Sequence, residues 1–401
     1  MKELFRRHDL YVENVPMTYV RSMMDKIDWS TRLMIIKGPK GVGKSTLMLQ
    51  YIKKTFEMGD RHVLYTSADN NYFSTHSLLE VAEKFHKMGG QHLFIDEVHK
   101  YPGWSIEIKE IYDLYKDMQV VLSGSSLIQI NDGQADLSRR LIRFDMPGLS
   151  YREFLYFQQG IEIPAITLDE LLANPSKFCM AVREKCRPLE FFHKYLQSGY
   201  YPFFLEGNSY FTDRVESVVN YTVDVELVKH RALDSGNTRK VKALLHVISE
   251  MTPYEVDIAK LSRALEMTRK TTLKYLTDTE EAKLIIRLFA DLYRVTDLQK
   301  PDKIYLDNTN LLYTLASAEP PIGTVRETFF ANQMLSAGHK IEYAGYKSGD
   351  FRIDDNIVIE VGGEDKGFEQ IEGIENSYIA ADNIESAYIR KIPLWTFGFL
   401  Y

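Results

Sequence analysis

The residues Gly38-Pro39-Lys40-Gly41-Val42-Gly43-Lys44-Ser45 fit the spacing G-x-x-x-x-G-K-[ST]. Glycines at these intervals let the main chain curl until successive N–H groups converge on one phosphate. A helix that opens behind the curl adds its positive end. In such a loop Lys44 reaches the β- and γ-phosphates, and the Ser45 hydroxyl is a ligand for Mg²⁺. Gly38, Pro39, Lys40, Gly41, Val42, Gly43, Lys44, Ser45 and Thr46 are therefore the candidate triphosphate-binding residues. A second cluster, Asp96-Glu97, follows the apolar run His92-Leu93-Phe94-Ile95. Adjacent carboxylates at the carboxyl end of a parallel strand project into the ligand crevice. Asp96 is expected to hold Mg²⁺, and Glu97 to orient and deprotonate an attacking water.

Val120-Val121-Leu122-Ser123-Gly124-Ser125-Ser126 is another strand ending in small polar residues. If it lies beside the Asp96 strand, Ser123 or Ser125 touches the γ-phosphate or the water; otherwise the segment is an ordinary Ser/Gly turn. Asp136-Leu137-Ser138-Arg139-Arg140 follows. Either Arg139 or Arg140 could meet the γ-phosphate, from the same chain or from a neighbouring subunit, or the pair is a solvated face.

These groups need a frame. Leu33–Ile36, His62–Ser67, His92–Ile95 and Gln119–Ser123 are short apolar runs of strand length, separated by helical stretches at Thr46–Ile52, Ser77–Lys87 and Ser105–Lys116. The alternation predicts an α/β fold: a P-loop parallel sheet with helices on both faces.

The chain has 401 residues, enough for two to four domains. It carries 49 Lys and Arg against 56 Asp and Glu, a net charge of −7. That excludes a protein coated in positive charge for indiscriminate nucleic-acid binding, but not a local basic patch. Cys179 and Cys186 are its two cysteines. They are too few for a disulfide framework or a four-ligand zinc site, and read as reduced structural thiols. The N-terminus lacks the apolar core of a signal peptide, and no apolar run of about 18 residues occurs. The expectation is a cytoplasmic chain with no membrane span.

Gly38–Ser45, Phe94–Trp104, Leu122–Ser126, Asp136–Arg140 and Leu149–Phe154 together resemble a bacterial and archaeal group of AAA-type ATPases. Members carry a P-loop domain followed by a C-terminal region of uncharacterised function. The resemblance implies ATP and Mg²⁺ as cofactors, ATP hydrolysis as the reaction, a polar sensor of nucleotide state near Ser123 or Ser125, and a domain ending near residue 155. It leaves the cellular role open and makes an oligomer an option rather than a requirement.

Residues 156–240 read as a helical adaptor. Residues 241–300 follow the order of a winged helix-turn-helix. Helices are expected over Lys242–Met251, over Ile258–Leu265, and from a Thr268 cap to Glu280. The hairpin strands are expected at Leu284–Leu288 and Ala290–Val295. Arg269, Lys270 and Lys274 on the second of the paired helices are the candidate DNA contacts. From Ile258 to Lys300 there are nine Lys/Arg and six Asp/Glu, a local excess of +3. Docking a protein partner is the other reading of this module.

Residues 301–401 look like a PD-(D/E)XK nuclease fold. Strands are expected at Lys303–Asp307, Lys340–Tyr343, Asp350–Ile353, Ile357–Val361 and Ile392–Phe397, with a helix over Thr324–Gly338. Glu327, Asp350 and Glu360 are the candidate acidic cluster. Gly362 stands where an active enzyme has lysine, and Lys366 is the only nearby substitute. The expectation is a domain without nuclease activity. The leading reading of the whole is an ATP hydrolase that moves its C-terminal modules. An ATP-gated DNA-binding switch and, further off, an ATP-driven nuclease are the alternatives.

Overall fold

The computed structural model describes residues 1–127, 137, 139–231, 233, 235–251, 257–290, 299–345 and 348–401. Asp136, Ser138 and most of the expected strand Ala290–Val295 lie outside the described residues. Two compact units form, Met1–Pro147 and Gly148–Tyr401.

In the first unit β1 (Leu33–Lys37), β2 (Val63–Ser67), β3 (His92–Asp96), β4 (Gln119–Gly124) and β5 (Ile142–Asp145) make one sheet in the order β2-β3-β4-β1-β5, parallel throughout. The strand side chains alternate between two cores. Leu33, Ile35, Leu93, Ile95, Val120 and Leu122 enter one. Met34, Ile36, Phe94 and Val121 enter the other. Both faces are buried by helices, so the strands read as unbroken apolar runs, as parallel sheets do. Edge strand β5 is the exception: Ile142 and Arg143 are exposed, and the sequence offered no apolar run to find it by. The Leu78–Lys87 helix starts on a reciprocal cap, Ser77 accepting from the Glu80 N–H while Glu80 accepts from the Ser77 N–H.

The second unit opens with helices, among them Tyr151–Gln159, Pro188–Ser198 and Phe211–Tyr221. Thr238–Glu250, Ile258–Ala264 and Arg269–Glu281 follow, and Thr268 caps the last by accepting from the Thr271 N–H. Strand β6 (Ile285–Leu288) pairs antiparallel with β7 (Lys303–Leu306), Ile285 opposite Leu306 and Leu288 opposite Lys303. Lys303–Leu306 is thus a strand as expected, but it belongs with β6 in its own two-stranded sheet. A mixed sheet holds β8 (Ile341–Tyr343), β9 (Phe351–Ile353), β10 (Ile357–Gly362), β11 (Ser377–Ala381) and β12 (Lys391–Pro393) in the order β12-β11-β10-β9-β8. The Ile322–Ser336 helix packs on β10. The strand expected over Ile392–Phe397 stops at Pro393, and Leu394–Phe399 coils into a tight helix instead. Proline has no N–H to give a ladder, and Trp395, Phe397 and Phe399 gain full burial in the coil. Cys179 and Cys186 are both free thiols. Among the described residues no helix is long and apolar enough to cross a membrane.

Candidate functional site

β1 runs straight into the glycine loop, and the loop into the Lys44–Thr55 helix. Gly43 caps that helix at φ 97°, in the left-handed region that glycine enters without strain. Gly38 is needed for closeness: a Cβ there would lie 2.2 Å from the Met146 carbonyl oxygen. Val42 sends its side chain into the core, leaving its main chain to face the cradle. Buried Arg21 braces the loop from behind, donating to the carbonyls of Val42 at 2.9 Å and Pro147 at 3.0 Å. Lys44 is buried, and its Nζ donates to the carbonyls of Gly38 and Pro39, both at 2.9 Å. Its charge is thus held over the loop itself.

β4 lies between β1 and β3, with Ile36 opposite Ser123 and Ile95 opposite Leu122. The carboxyl ends of all three strands meet beside the loop. Asp96 is buried there. One of its oxygens accepts from the Ser123 hydroxyl and the other from the Tyr65 hydroxyl at 2.8 Å. The Ser45 side chain lies on the same side of the Tyr65 phenol. Burial and then the Asp96 charge push the phenol far above its ordinary range, so it remains a donor.

Glu97 turns away from β3 with φ 51°, and its N–H donates to the Ser123 hydroxyl at 3.0 Å. Ser123 thus contacts both members of the acidic pair. Ser125 takes another part: its N–H donates to His99 Nδ1 at 3.4 Å. The other ring nitrogen of buried His99 lies 3.3 Å from a Glu97 carboxylate oxygen. Because Nδ1 accepts, the neutral ring carries its proton on Nε2, the nitrogen nearer Glu97. Lys100 Nζ stands 3.8 Å from the same oxygen. The two arginines separate as well. Arg140 forks onto the Asp113 carboxylate at 3.2 and 3.4 Å, whereas Arg139 is exposed.

In the second unit Arg269, Lys270 and Lys274 are all exposed on the Arg269–Glu281 helix. Lys270 and Lys274 line a cavity of about 530 Å³ with Thr268, Thr271 and Tyr275, and Lys240 joins them from the neighbouring helix. The four-residue spacing of Lys270 and Lys274 puts them on one helical face, whereas nothing in the sequence announced Lys240. Glu327 and Asp350 come together, bridged by Lys303 at 3.0 Å from each. Glu360 is paired with Lys366.

Comparison with known proteins agrees with this geometry. Residues 30–155 match the family model described as an AAA domain. The N-terminal unit thus has a P-loop parallel-sheet fold, and residues 30–155 of it are similar to an AAA domain. A curated relative, an uncharacterized protein MJ1637 of Methanocaldococcus jannaschii, is 22% identical over 269 residues, which are 64% of this chain and 56% of the relative. The chain therefore spans little more than half the length of that relative. Among solved structures, AMPPCP-bound DnaA from Aquifex aeolicus is 20% identical with a TM-score of 0.27, over 69% of this chain and 86% of that one. The C. elegans PCH-2 structure is 13% identical with a TM-score of 0.26, over 39% and 46%. Scores this low add nothing to the family match. Tyr65 and His99 are the site residues that motif spacing missed. Each acts through a neighbour that only the folded sheet supplies.

Proposed function

We propose that the N-terminal unit is a Mg²⁺-dependent ATP hydrolase whose nucleotide state is passed to the C-terminal unit. The observation that carries the reading is the joint hold on buried Asp96 by Ser123 and Tyr65, at the strand ends beside the glycine loop. A hydroxyl and a carboxylate are hard oxygen donors, and Mg²⁺ takes few protein ligands and keeps its waters, so Ser45 and Asp96 suit it. When bound, Mg²⁺ neutralises charge on the β- and γ-phosphates. The loop N–H groups hold the phosphates, and Lys44 exchanges its carbonyl partners for phosphate oxygens. Glu97 takes a proton from the attacking water as its oxygen bonds to the γ-phosphorus and the bond to the β-phosphate oxygen breaks. His99 and Ser123 fix where Glu97 stands. Exposed Arg139 is the better candidate for a transition-state contact, since Arg140 is engaged by Asp113.

Glu97→Gln is expected to bind ATP as the wild type does while hydrolysing it about 10²–10⁴-fold more slowly. Lys44→Ala is expected to lose nucleotide binding. Binding by fluorescent ATP and turnover by phosphate release check both. A Glu97→Gln protein with full turnover would sink the assignment.

A second reading, in which the C-terminal unit binds DNA, is favoured by the cavity that gathers Lys240, Lys270 and Lys274. Ammonium groups at the start of a helix suit phosphodiesters, and such binding weakens steeply with salt. Mobility shift of a duplex across salt concentrations tests it, and no shift at low salt with or without ATP discards it.

A further inference from the structure

A nuclease-like core would need a divalent cation among Glu327, Asp350 and Glu360, and the residues present do not accommodate one. Glu327 is on the Ile322–Ser336 helix, Asp350 directly precedes β9, and Glu360 is on β10. Strand β7 reaches the same spot. Lys303 and Tyr305, two apart on that strand, point to one side. The buried Lys303 Nζ donates to Glu327 Oε2 and to Asp350 Oδ1, each at 3.0 Å. The Tyr305 hydroxyl donates to the same Glu327 oxygen at 2.6 Å. The other Asp350 oxygen accepts from the Val361 N–H at 3.0 Å. Glu360 Oε1 is taken by Lys366, whose ammonium also meets Gln370, while Glu360 Oε2 is buried without a hydrogen-bond partner. The two carboxylates that a metal would bridge are thus bridged by an ammonium. Among the described residues, no group of three His, Cys, Asp or Glu is arranged to hold a metal.

We propose that Lys303 is the resident cation of this core: its ammonium stands in the metal's position and closes the site to divalent cations and to phosphodiester hydrolysis. An ammonium held between these two carboxylates uses the oxygens a dication would need and repels it, and in a buried site that repulsion is little screened. Lys303 also keeps its charge. Burial alone would lower it, but the charges and hydrogen bonds of Asp350 and Glu327 outweigh that, and the net shift is upward. The lysine missing at Gly362 and the lysine present at 303 then agree: both leave the acidic residues of this domain without the means to cut a phosphodiester. The inference does not depend on the ATPase reading.

The test counts Mn²⁺ on the full chain without nucleotide, in the wild type, Asp350→Asn, Lys303→Met, Lys303→Arg and Lys303→Met/Asp350→Asn. Lys303→Met is expected to bind about one Mn²⁺ more than the wild type, since two hard carboxylates are released to it. That extra ion should be absent from Lys303→Arg and lost from the double variant. Wild-type protein should leave plasmid intact with Mn²⁺ or Mg²⁺. If Lys303→Met unfolds for want of a counter-charge, recovery of its folded circular dichroism on adding Mn²⁺ supports the proposal equally. Three results overturn it: wild-type cleavage of plasmid that Asp350→Asn abolishes, loss of a wild-type Mn²⁺ equivalent on Asp350→Asn, or a folded Lys303→Met that gains no Mn²⁺. The first and second need no Lys303 variant, so they decide even if that variant never folds.

Discussion

Glu97 adopts a left-handed backbone at the turn after β3, a conformation that costs a non-glycine residue about 1–3 kcal/mol. The turn keeps the carboxylate near the surface, a quarter exposed, while Asp96 one residue earlier is buried. Two adjacent acids thereby receive different environments, the separation that a metal holder and a water base require. His99 completes the arrangement. Its Nδ1 accepts the Ser125 N–H, and its Nε2 faces Glu97. On the proposed reading it is a positioning residue, connecting Glu97 to the end of β4. A hydrogen bond to a charged group is worth about 1.5–3 kcal/mol, or roughly 10–100-fold in rate. His99→Phe should lower kcat by that order with little change in KM for ATP, and His99→Gln, which keeps a donor, should recover part of it. Steady-state kinetics of the two variants checks this. Equal losses in both, with KM raised, would make His99 merely structural.

At the scale of elements, the Lys2–Asn14 helix is joined to β2 by one polar contact: His8 Nδ1 accepts the Tyr65 N–H at 2.9 Å. Accepting requires the neutral ring. Burial, aided by the Arg61 charge and opposed by Asp9 and Asp60, lowers the His8 pKa from 6.5 to about 4. A histidine pKa depressed by folding contributes stability that is present above the unfolded value and lost as pH falls through the folded one. The helix–strand junction should therefore lose roughly 3 kcal/mol between pH 6.5 and pH 4. Urea unfolding at a series of pH values checks it, and His8→Gln should flatten the slope in that window. The same junction shows what was legible in the sequence. β1, β3 and β4 were readable because helices cover both their faces and their central positions are all apolar. β5 was not, because an edge strand needs no such run. The glycine loop and Asp96-Glu97 stood out because their chemistry is local in the chain. Tyr65, His8 and Lys303 did not, because each acts on a partner that strand pairing or helix packing supplies. Pro393 was readable in principle: a residue without an N–H should have ended β12 before the aromatic run did.

The whole molecule carries a net charge of −7, yet its second unit gathers Lys240, Lys270 and Lys274 around one cavity. A chain that repels polyanions in general can hold one only where such a local field overcomes the rest. If the nucleotide state of the first unit governs that contact, the two binding events share one coupling free energy, and each must change the other's affinity by the same factor. Typical coupling is about 5–150-fold. Duplex DNA affinity is therefore expected to differ by that order between protein saturated with a non-hydrolysable ATP analogue and protein without nucleotide. The analogue's own affinity should shift by an equal factor when DNA is saturating. Lys44→Ala should erase the difference while leaving DNA affinity at its nucleotide-free value. Lys270→Glu with Lys274→Glu should weaken DNA binding, lower its salt slope by about two, and leave basal ATP turnover unchanged. Fluorescence anisotropy in both directions measures the factors. Factors of one would mean that the units bind their ligands independently.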